Sequence, residues 1–169
     1  GHAVTFGRID LSGANTRTLT LDSSVVTVTG GTTTVVIAPT SGLTLSNTGT
    51  TYTLTAAGTH TWAMGSLAWA ALTCSAGSLT LTGTGSFTTL TMTGAGGRTL
   101  TLPASATITG ATLNLSGVAG SLLSVVSSSA GSAATISVAS GTVRFRYCSV
   151  QDITVTGGAS FLAIGSTDV

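Results

Sequence analysis

The chain has 169 residues, of which only 5% are charged, and its formal net charge is +1. All of its charge comes from five Arg and four Asp, because Glu and Lys are absent. Surfaces that bind nucleic acid or anionic lipid need clustered basic residues, and no apolar run approaches the roughly 20 residues that span a bilayer. We therefore expect no nucleic-acid partner and no membrane insertion.

The remaining composition favours β-structure. Hydrophobic residues make up 42% of the chain, and Thr, Ser and Gly supply most of the rest. Thr, Val and Ile are stiff at χ1 and fit a pleated backbone, whereas the charged helix formers are nearly missing. A chain of this length forms one domain. We therefore predict a single all-β domain over residues 1–169, in which Gly1-His2 resembles the remnant of a cleaved tag.

Short segments in which apolar residues alternate with Thr or Ser predict a long series of strands. Glycine-rich corners separate most of them, and in Thr99 to Leu102 the leucines are expected to face inward. In chain order the predicted strands are Val4 to Leu11, Thr18 to Leu21, Val25 to Thr29, Thr34 to Ile37, Leu43 to Leu45, Tyr52 to Thr55, Thr61 to Ala68, Ala70 to Cys74, Leu79 to Leu81, Phe87 to Met92, Thr99 to Leu102, Thr107 to Leu115, Leu122 to Val126, Ala134 to Val138, Val143 to Val150, Ile153 to Val155, and Phe161 to Ile164.

One stretch occurs twice. Phe6 to Leu21 matches Phe87 to Leu102 without a gap, including a Gly-Ala corner and an Arg-Thr-Leu-Thr-Leu strand. The offset from Phe6 to Phe87 equals three turns of roughly 27 residues, as in a three-sided parallel β-helix. We predict such a β-solenoid, right-handed as parallel crossovers generally are. An antiparallel β-sandwich is the alternative.

Aromatic residues form the most local signal in the sequence. Tyr52, Trp62 and Trp69 lie close together in a chain that is only 5% aromatic. A corner near Gly65-Ser66 would turn both indoles outward, where flat rings can stack on sugars. The three residues are therefore a candidate ligand site, and the alternative is that they fill the core.

The arginines are candidates for a contact face. Arg17 and Arg98 recur in the two matched stretches, and three turns between them would place both on one side, roughly 15 Å apart. Arg144 and Arg146 alternate with apolar residues, so both point to one face shortly before Asp152. A surface ion pair or a subunit contact is the expected use of that face.

Residues for catalysis or metal binding are scarce. Glycoside hydrolysis usually requires a pair of carboxylates, which Asp10 and Asp22 could supply, although turn capping is their more ordinary role. His60 is the one histidine outside Gly1-His2, and neither cysteine has metal-ligand spacing to it. We expect no metal, no cofactor and no enzymatic activity, with a polysaccharide-degrading domain as the alternative.

Repeated Thr-x-Thr triplets raise a further alternative. Examples are Thr27 to Thr29, Thr53 to Thr55 and Thr89 to Thr91. Ice binding requires such triplets to stack on one flat face. On successive strands of a three-sided helix they would be distributed over all three sides, which favours a simpler role in β-propensity.

The C-terminal part of the chain resembles β-helical segments of bacteriophage tail fibres and related bacterial surface proteins. The resemblance is carried by Ala134 to Tyr147, Val150-Gln151-Asp152 and Gly157-Gly158-Ala159. It implies a structural or adhesive module in an extracellular or virion setting, often a homotrimer, which binds a receptor or cell-surface glycan. It implies no catalytic residues.

Overall fold

A computed structural model describes residues 1–11, 15–30, 43–94 and 97–169. Within these ranges all regular structure is β-strand, and no helix is long and apolar enough to cross a membrane. The strands are β1 (Ala3–Phe6), β2 (Arg17–Thr20), β3 (Val25–Val28), β4 (Leu43–Ser46), β5 (Thr51–Leu54), β6 (Thr59–Ala63), β7 (Ala68–Cys74), β8 (Ser78–Thr82), β9 (Gly85–Thr93), β10 (Thr99–Leu102), β11 (Thr107–Ser116), β12 (Leu123–Ser127), β13 (Ala134–Val138), β14 (Thr142–Arg146), β15 (Cys148–Gln151), β16 (Ile153–Thr156), β17 (Ser160–Ile164) and β18 (Thr167–Asp168).

The strands form two long sheets and one short sheet. The first long sheet runs β1-β3-β5-β7-β9-β11-β13-β16, and β14 joins it by pairing with both β11 and β17. The second runs β6-β8-β10-β12-β15-β18, whereas β2 and β4 form a separate pair. From β5 to β13 the odd-numbered strands lie in the first sheet and the even-numbered strands in the second. The chain therefore crosses from one long sheet to the other at almost every corner.

Every strand pairing in the described part of the chain is parallel. This confirms the all-β class with parallel strands, and the antiparallel sandwich does not fit. The turn length of about 27 residues expected from the matched stretches is wrong, however. Ala3 pairs with Val25, Val25 with Thr51, Thr51 with Ala71 and Ala71 with Thr89, so successive turns differ in length. The turn from Val25 to Thr51 is the longest of these and that from Ala71 to Thr89 the shortest. Corners of different length absorb these differences while the strand register is kept.

The matched stretches do not stack on each other either. Phe6 pairs with Val28, whereas Phe87 pairs with Trp69 and Gly110. The strand structure also differs, because β1 ends at Phe6 whereas β9 continues to Thr93. The sequence similarity therefore corresponds neither to one position along the sheet nor to one local conformation. The Gly-Ala corners of both stretches, at 13–14 and 94–95, and the predicted strand 34–37 fall wholly or partly outside the described residues.

The core lies between the two long sheets, because alternate residues of each strand face inward. In β10 the two leucines are buried and the two threonines are partly exposed, as predicted. One row of buried residues runs across five strands of the first sheet in direct register: Val26, Tyr52, Leu72, Leu90 and Leu113. Fully burying an aliphatic or aromatic side chain contributes about 1.5–3 kcal/mol. Such rows stabilise the stack strand by strand.

Two predicted strands are interrupted by corners. The segment Thr61 to Ala68 breaks after β6 at Gly65 and Ser66, which both have φ of 58°. The segment Val143 to Val150 breaks between β14 and β15 at Tyr147, whose φ is 51°. A left-handed backbone at a non-glycine residue is uncommon and carries a steric cost. The sequence predicts a corner at the first of these sites, near Gly65-Ser66, but none at Tyr147.

Candidate functional site

The three aromatic residues predicted as a ligand site form a buried cluster instead. Tyr52 and Trp62 are 0% exposed, and Trp69 is 2% exposed. The ring centroids are 5.3 Å apart for Tyr52 and Trp62, 5.6 Å for Tyr52 and Trp69, and 5.0 Å for the two indoles, all edge to face. The corner predicted at Gly65-Ser66 is present, but it turns both indoles inward. No ring face is left for a sugar, so the predicted stacking site is wrong.

Polar atoms of this cluster are only partly satisfied. Nε1 of Trp69 donates a hydrogen bond of 3.0 Å to the Met64 carbonyl. Nε1 of Trp62 and the Tyr52 hydroxyl have no hydrogen-bond partner among the described residues, and burial raises the pKa of Tyr52 to about 12. An unsatisfied buried donor costs about 1–3 kcal/mol. The cluster is therefore held by packing of the rings, which must outweigh this cost.

Arg98 is a structural residue and does not belong to a contact face. Its side chain is only 9% exposed. The guanidinium group donates to the carbonyl of Thr93, at the end of β9, and to that of Cys74 at 3.3 Å. It therefore connects the corner between β9 and β10 to the end of β7.

Arg17 has the same role in the first matched stretch. Its guanidinium group donates to the carbonyls of Leu11 and Asn15. Arg17 begins β2 in the short sheet, whereas Arg98 precedes β10 in the second long sheet. Because Arg98 is buried and both guanidinium groups bond to backbone carbonyls, the predicted contact face of these two arginines is wrong. The recurrence of Arg reflects a repeated way of closing a corner.

Three of the four aspartates make local contacts. Asp10 forms an exposed ion pair of 2.8 Å with Arg8. Both carboxylate oxygens of Asp22 lie 2.7 Å from the Ser46 hydroxyl, and one accepts a hydrogen bond of 2.9 Å from the Thr48 amide. Asp152 accepts a bond of 2.9 Å from the Gly131 amide. These contacts are of the turn-stabilising kind that the sequence favoured over catalysis.

The histidine and the cysteines are buried. His60 is 1% exposed, and its Nε2 donates to the Ala56 carbonyl at 2.9 Å. Cys74 and Cys148 are free thiols. Burial raises the pKa of Cys74 to about 11 and also raises that of Cys148, which disfavours the reactive thiolate. Over the described ranges, no three His, Cys or Asp residues are grouped as metal ligands would be.

The outer side of the first long sheet carries an ordered row of threonines. Thr5, Thr27, Thr53, Thr73 and Thr91 pair in direct register on five adjacent strands. Four of these threonines are followed, two positions further along the chain, by another hydroxyl residue. We call the row and these flanking residues the threonine face. The flanking residues are Thr29, Thr55, Ser75 and Thr93. Neighbouring strands are about 4.8 Å apart, and alternate residues along a strand about 6.7 Å apart. The face is therefore a regular grid of hydroxyl groups.

Several hydroxyl groups of the flanking row are fixed by the backbone. Those of Thr29, Thr55 and Ser75 each donate to a carbonyl of the preceding strand, at 3.3, 3.2 and 2.8 Å. Thr73-Cys74-Ser75 thus belongs to the same set as the Thr-x-Thr triplets, although its last residue is not Thr. A sequence pattern that counts Ser as equivalent to Thr would have included it.

A groove lies on the outer side of the first long sheet, next to Thr91. Asn114 on β11 is in register with Thr91 on β9, and Arg144 on β14 is in register with Asn114. The volume of the groove is about 390 Å³, and Arg146 lines it as well. β14 has alternating exposure, with both arginines exposed, as the sequence predicted. The expected ion pair with Asp152 does not form, because Asp152 bonds to Gly131. Whether this face makes a contact remains a prediction.

The second long sheet also carries hydroxyl groups in register. Thr59, Ser78, Thr99, Ser124 and Ser149 occupy matching positions on five of its strands. Regular hydroxyl rows are thus a property of both long sheets, whereas the paired arginines belong to the first.

Comparisons of the chain with protein-family models, with curated proteins and with solved structures found no match.

Proposed function

We propose that the chain is a β-solenoid module of a bacteriophage tail fibre or bacterial surface fibre, with a non-enzymatic structural or adhesive role. Its two long sheets close into one right-handed helical stack, and the module works outside the cell or on the virion. The observation that carries the proposal is the unbroken register of parallel strands, with apolar rows inside and uncharged hydroxyl rows outside. Repeated parallel stacking is how solenoids build rigid, extended surfaces.

The local contacts of the carboxylates support a non-enzymatic role over polysaccharide degradation. A hydrolytic pair needs one protonated and one ionised carboxyl group, both facing the substrate. Asp10 is paired with Arg8, and Asp22 is bonded to Ser46 and Thr48. Asp10 is therefore engaged within its own corner, and Asp22 with the corner of the next turn.

Self-association of the purified chain tests the fibre proposal. Leu162 and Ile164 are 46% and 38% exposed on the outer side of β17, and exposed apolar patches commonly mark association surfaces. We expect sedimentation equilibrium to show a homo-oligomer, for which the family resemblance suggests a trimer. Leu162→Gln should weaken this association several-fold, whereas Thr80→Gln on the second sheet should leave it unchanged. A strict monomer at high concentration would contradict the proposal.

Ice binding is the second candidate, and the threonine face favours it. The expectation that Thr-x-Thr triplets would be distributed over three sides does not hold for the triplets at 27–29, 53–55 and 89–91. These occupy the outer side of one sheet, together with Thr73-Cys74-Ser75. Hydroxyl groups fixed on a regular grid can order water in the way that adsorption to ice requires.

Ice shaping and thermal hysteresis test this second candidate. The double variant Thr53→Lys, Thr73→Lys places two charges in the middle of the threonine face and should abolish both effects. Thr80→Lys, Thr101→Lys on the second sheet is the matched control and should retain them. Unmodified protein that neither shapes ice nor shows hysteresis would eliminate the candidate.

A further inference from the structure

Most of the cationic groups in the chain have local partners. Arg8 pairs with Asp10, and Arg17 and Arg98 donate to backbone carbonyls. Arg144 and Arg146 are the two that point outward beside the groove on the first sheet. None of the four aspartates is among the described residues that line this groove. The groove thus carries two positive charges without a neighbouring carboxylate.

The two arginines are held at a defined spacing. They lie two positions apart on one strand, which separates their Cα atoms by about 6.7 Å. The guanidinium carbon of Arg146 lies 5.4 Å from the ring centroid of Tyr147. Tyr147 has a left-handed backbone with φ of 51°, and its ring packs over Gly165, where a Cβ would approach within 2.7 Å of ring carbons. This strained corner therefore supports a stacking platform for Arg146.

Hydroxyl and amide groups line the rest of the groove. Asn114 lies in register with Arg144, and Ser116 in register with Arg146. On the next strand, Thr91 and Thr93 occupy the corresponding positions. Nδ2 of Asn114 donates to Oγ1 of Thr91 at 3.4 Å, which leaves the amide oxygen able to accept a bond from a ligand. The Ser116 hydroxyl donates to the Gly117 carbonyl at 3.0 Å, so toward a ligand it is an acceptor, whereas Thr91 and Asn114 can also donate.

We propose that this groove binds a carboxylate-bearing saccharide, in which uronate groups pair with Arg144 and Arg146 and sugar hydroxyls bond to Asn114, Thr91 and Ser116. Guanidinium and carboxylate groups match in a planar, two-bond geometry. The inference rests on the proposed adhesive role, since it identifies the ligand class and the surface. It assigns binding to the outer sheet surface and not to the buried aromatic residues.

Calorimetric titration with a short galacturonic acid oligomer tests the proposal, with the fully methyl-esterified oligomer as the matched neutral probe. We expect the acidic oligomer to bind at low ionic strength. Its affinity should fall as salt is added, because the charges of an exposed site are screened. The ester, which keeps the hydroxyl groups, should bind at least about tenfold more weakly. Equal binding of both oligomers, or of neither, would overturn the proposal.

Variants locate the binding. Arg144→Gln, Arg146→Gln should reduce affinity about tenfold or more. Arg8→Gln, which removes an exposed arginine elsewhere, should leave affinity unchanged. Asn114→Ala should weaken binding of the oligomer several-fold but leave the weak binding of sulfate or phosphate unaltered. If those inorganic ions compete as strongly as the oligomer, or if Asn114→Ala has no effect, the groove is a simple anion site and the saccharide assignment is wrong.

The fibre proposal and the saccharide proposal can fail separately. Leu162 and Ile164 lie in direct register with Arg144 and Arg146, so each variant is measured in both assays. Leu162→Gln should alter sedimentation and leave the affinity for the oligomer unchanged, whereas Arg144→Gln, Arg146→Gln should alter that affinity and leave sedimentation unchanged. A protein that assembles but does not distinguish the acid from its ester retains the fibre role and loses the saccharide site. Circular dichroism of every variant establishes that a lost signal does not come from unfolding.

Discussion

Replacing Trp69 with alanine is expected to lower the free energy of unfolding by about 3–5 kcal/mol. The side chain is 2% exposed and contacts both Trp62 and Tyr52. Its removal leaves a cavity between the two long sheets and deprives the Met64 carbonyl of its indole partner. The measurement is urea unfolding followed by far-ultraviolet circular dichroism, because tryptophan fluorescence itself changes with the variant.

Phenylalanine substitutions separate packing from hydrogen bonding in this cluster. Trp62→Phe removes an indole N–H that has no partner in the described part of the chain, so part of the packing loss is compensated. Trp69→Phe removes an N–H that is bonded. We therefore expect Trp69→Phe to be the more destabilising by about 1 kcal/mol. A larger loss for Trp62→Phe would contradict this view of the cluster.

These variants also test whether the aromatic residues have any function in ligand binding. Where they fold, Trp62→Phe and Trp69→Phe should bind the galacturonic acid oligomer like the unmodified protein. A loss of affinity without a loss of stability would show that the rings become accessible. It would also make them candidate binding residues again.

The second large effect is expected at Arg98. Arg98→Met keeps much of the aliphatic length but removes the bonds to the carbonyls of Thr93 and Cys74. Hydrogen bonds to charged groups contribute about 1.5–3 kcal/mol, and a buried carbonyl without a partner adds a further penalty. We expect a loss of about 2–4 kcal/mol in urea unfolding. Arg98→Lys should recover only part of it, because an ammonium group lacks the planar fork that reaches two acceptors.

Two other arginines are internal controls for this prediction. Arg17→Met removes a similar corner contact at a less buried site and should cost less than Arg98→Met. Arg144→Met alters an exposed side chain and should change stability by no more than about 0.5 kcal/mol. Equal effects at all three positions would show that Arg98 has no special structural role. The recurrence of Arg in the matched stretches would then require another explanation.

Alternation of apolar and hydroxyl residues predicted most strands of this protein. Residues such as Leu100 and Leu102 face inward simply because successive side chains of a strand point to opposite sides. Alternation carries no information on which strands become neighbours. The offset between the matched stretches predicts that Phe6 lies in line with Phe87, yet Thr5, the residue before Phe6, lies in line with Thr91. Corners of variable length shift the strand register, and this shift does not appear as a periodic pattern in the sequence.

Site predictions failed for a related reason. Trp62 and Trp69 could face either way until the corner at Gly65-Ser66 was placed, and burial of two large rings favours the inward choice. Arg17 and Arg98 were expected on a surface, because arginine is rarely buried. At these two corners backbone carbonyls accept hydrogen bonds from the guanidinium groups, which offsets the preference of arginine for the surface. A sequence does not show where backbone carbonyls lack other donors.

The class of structure follows from the sequence, because a chain of alternating Thr, Ser and aliphatic residues with few charges can bury its apolar side only as β-sheet. The sequence also determined that Arg144 and Arg146 share a face, since that follows from their spacing on one strand. Which residues form rows across the sheet depends on how the strands pair. Parallel stacking brought Thr5, Thr27, Thr53, Thr73 and Thr91 into one line and placed the two arginines beside Asn114 and Ser116. The physical reason is that such neighbours belong to different turns of the chain and meet only through strand register, which the lengths of the corners set.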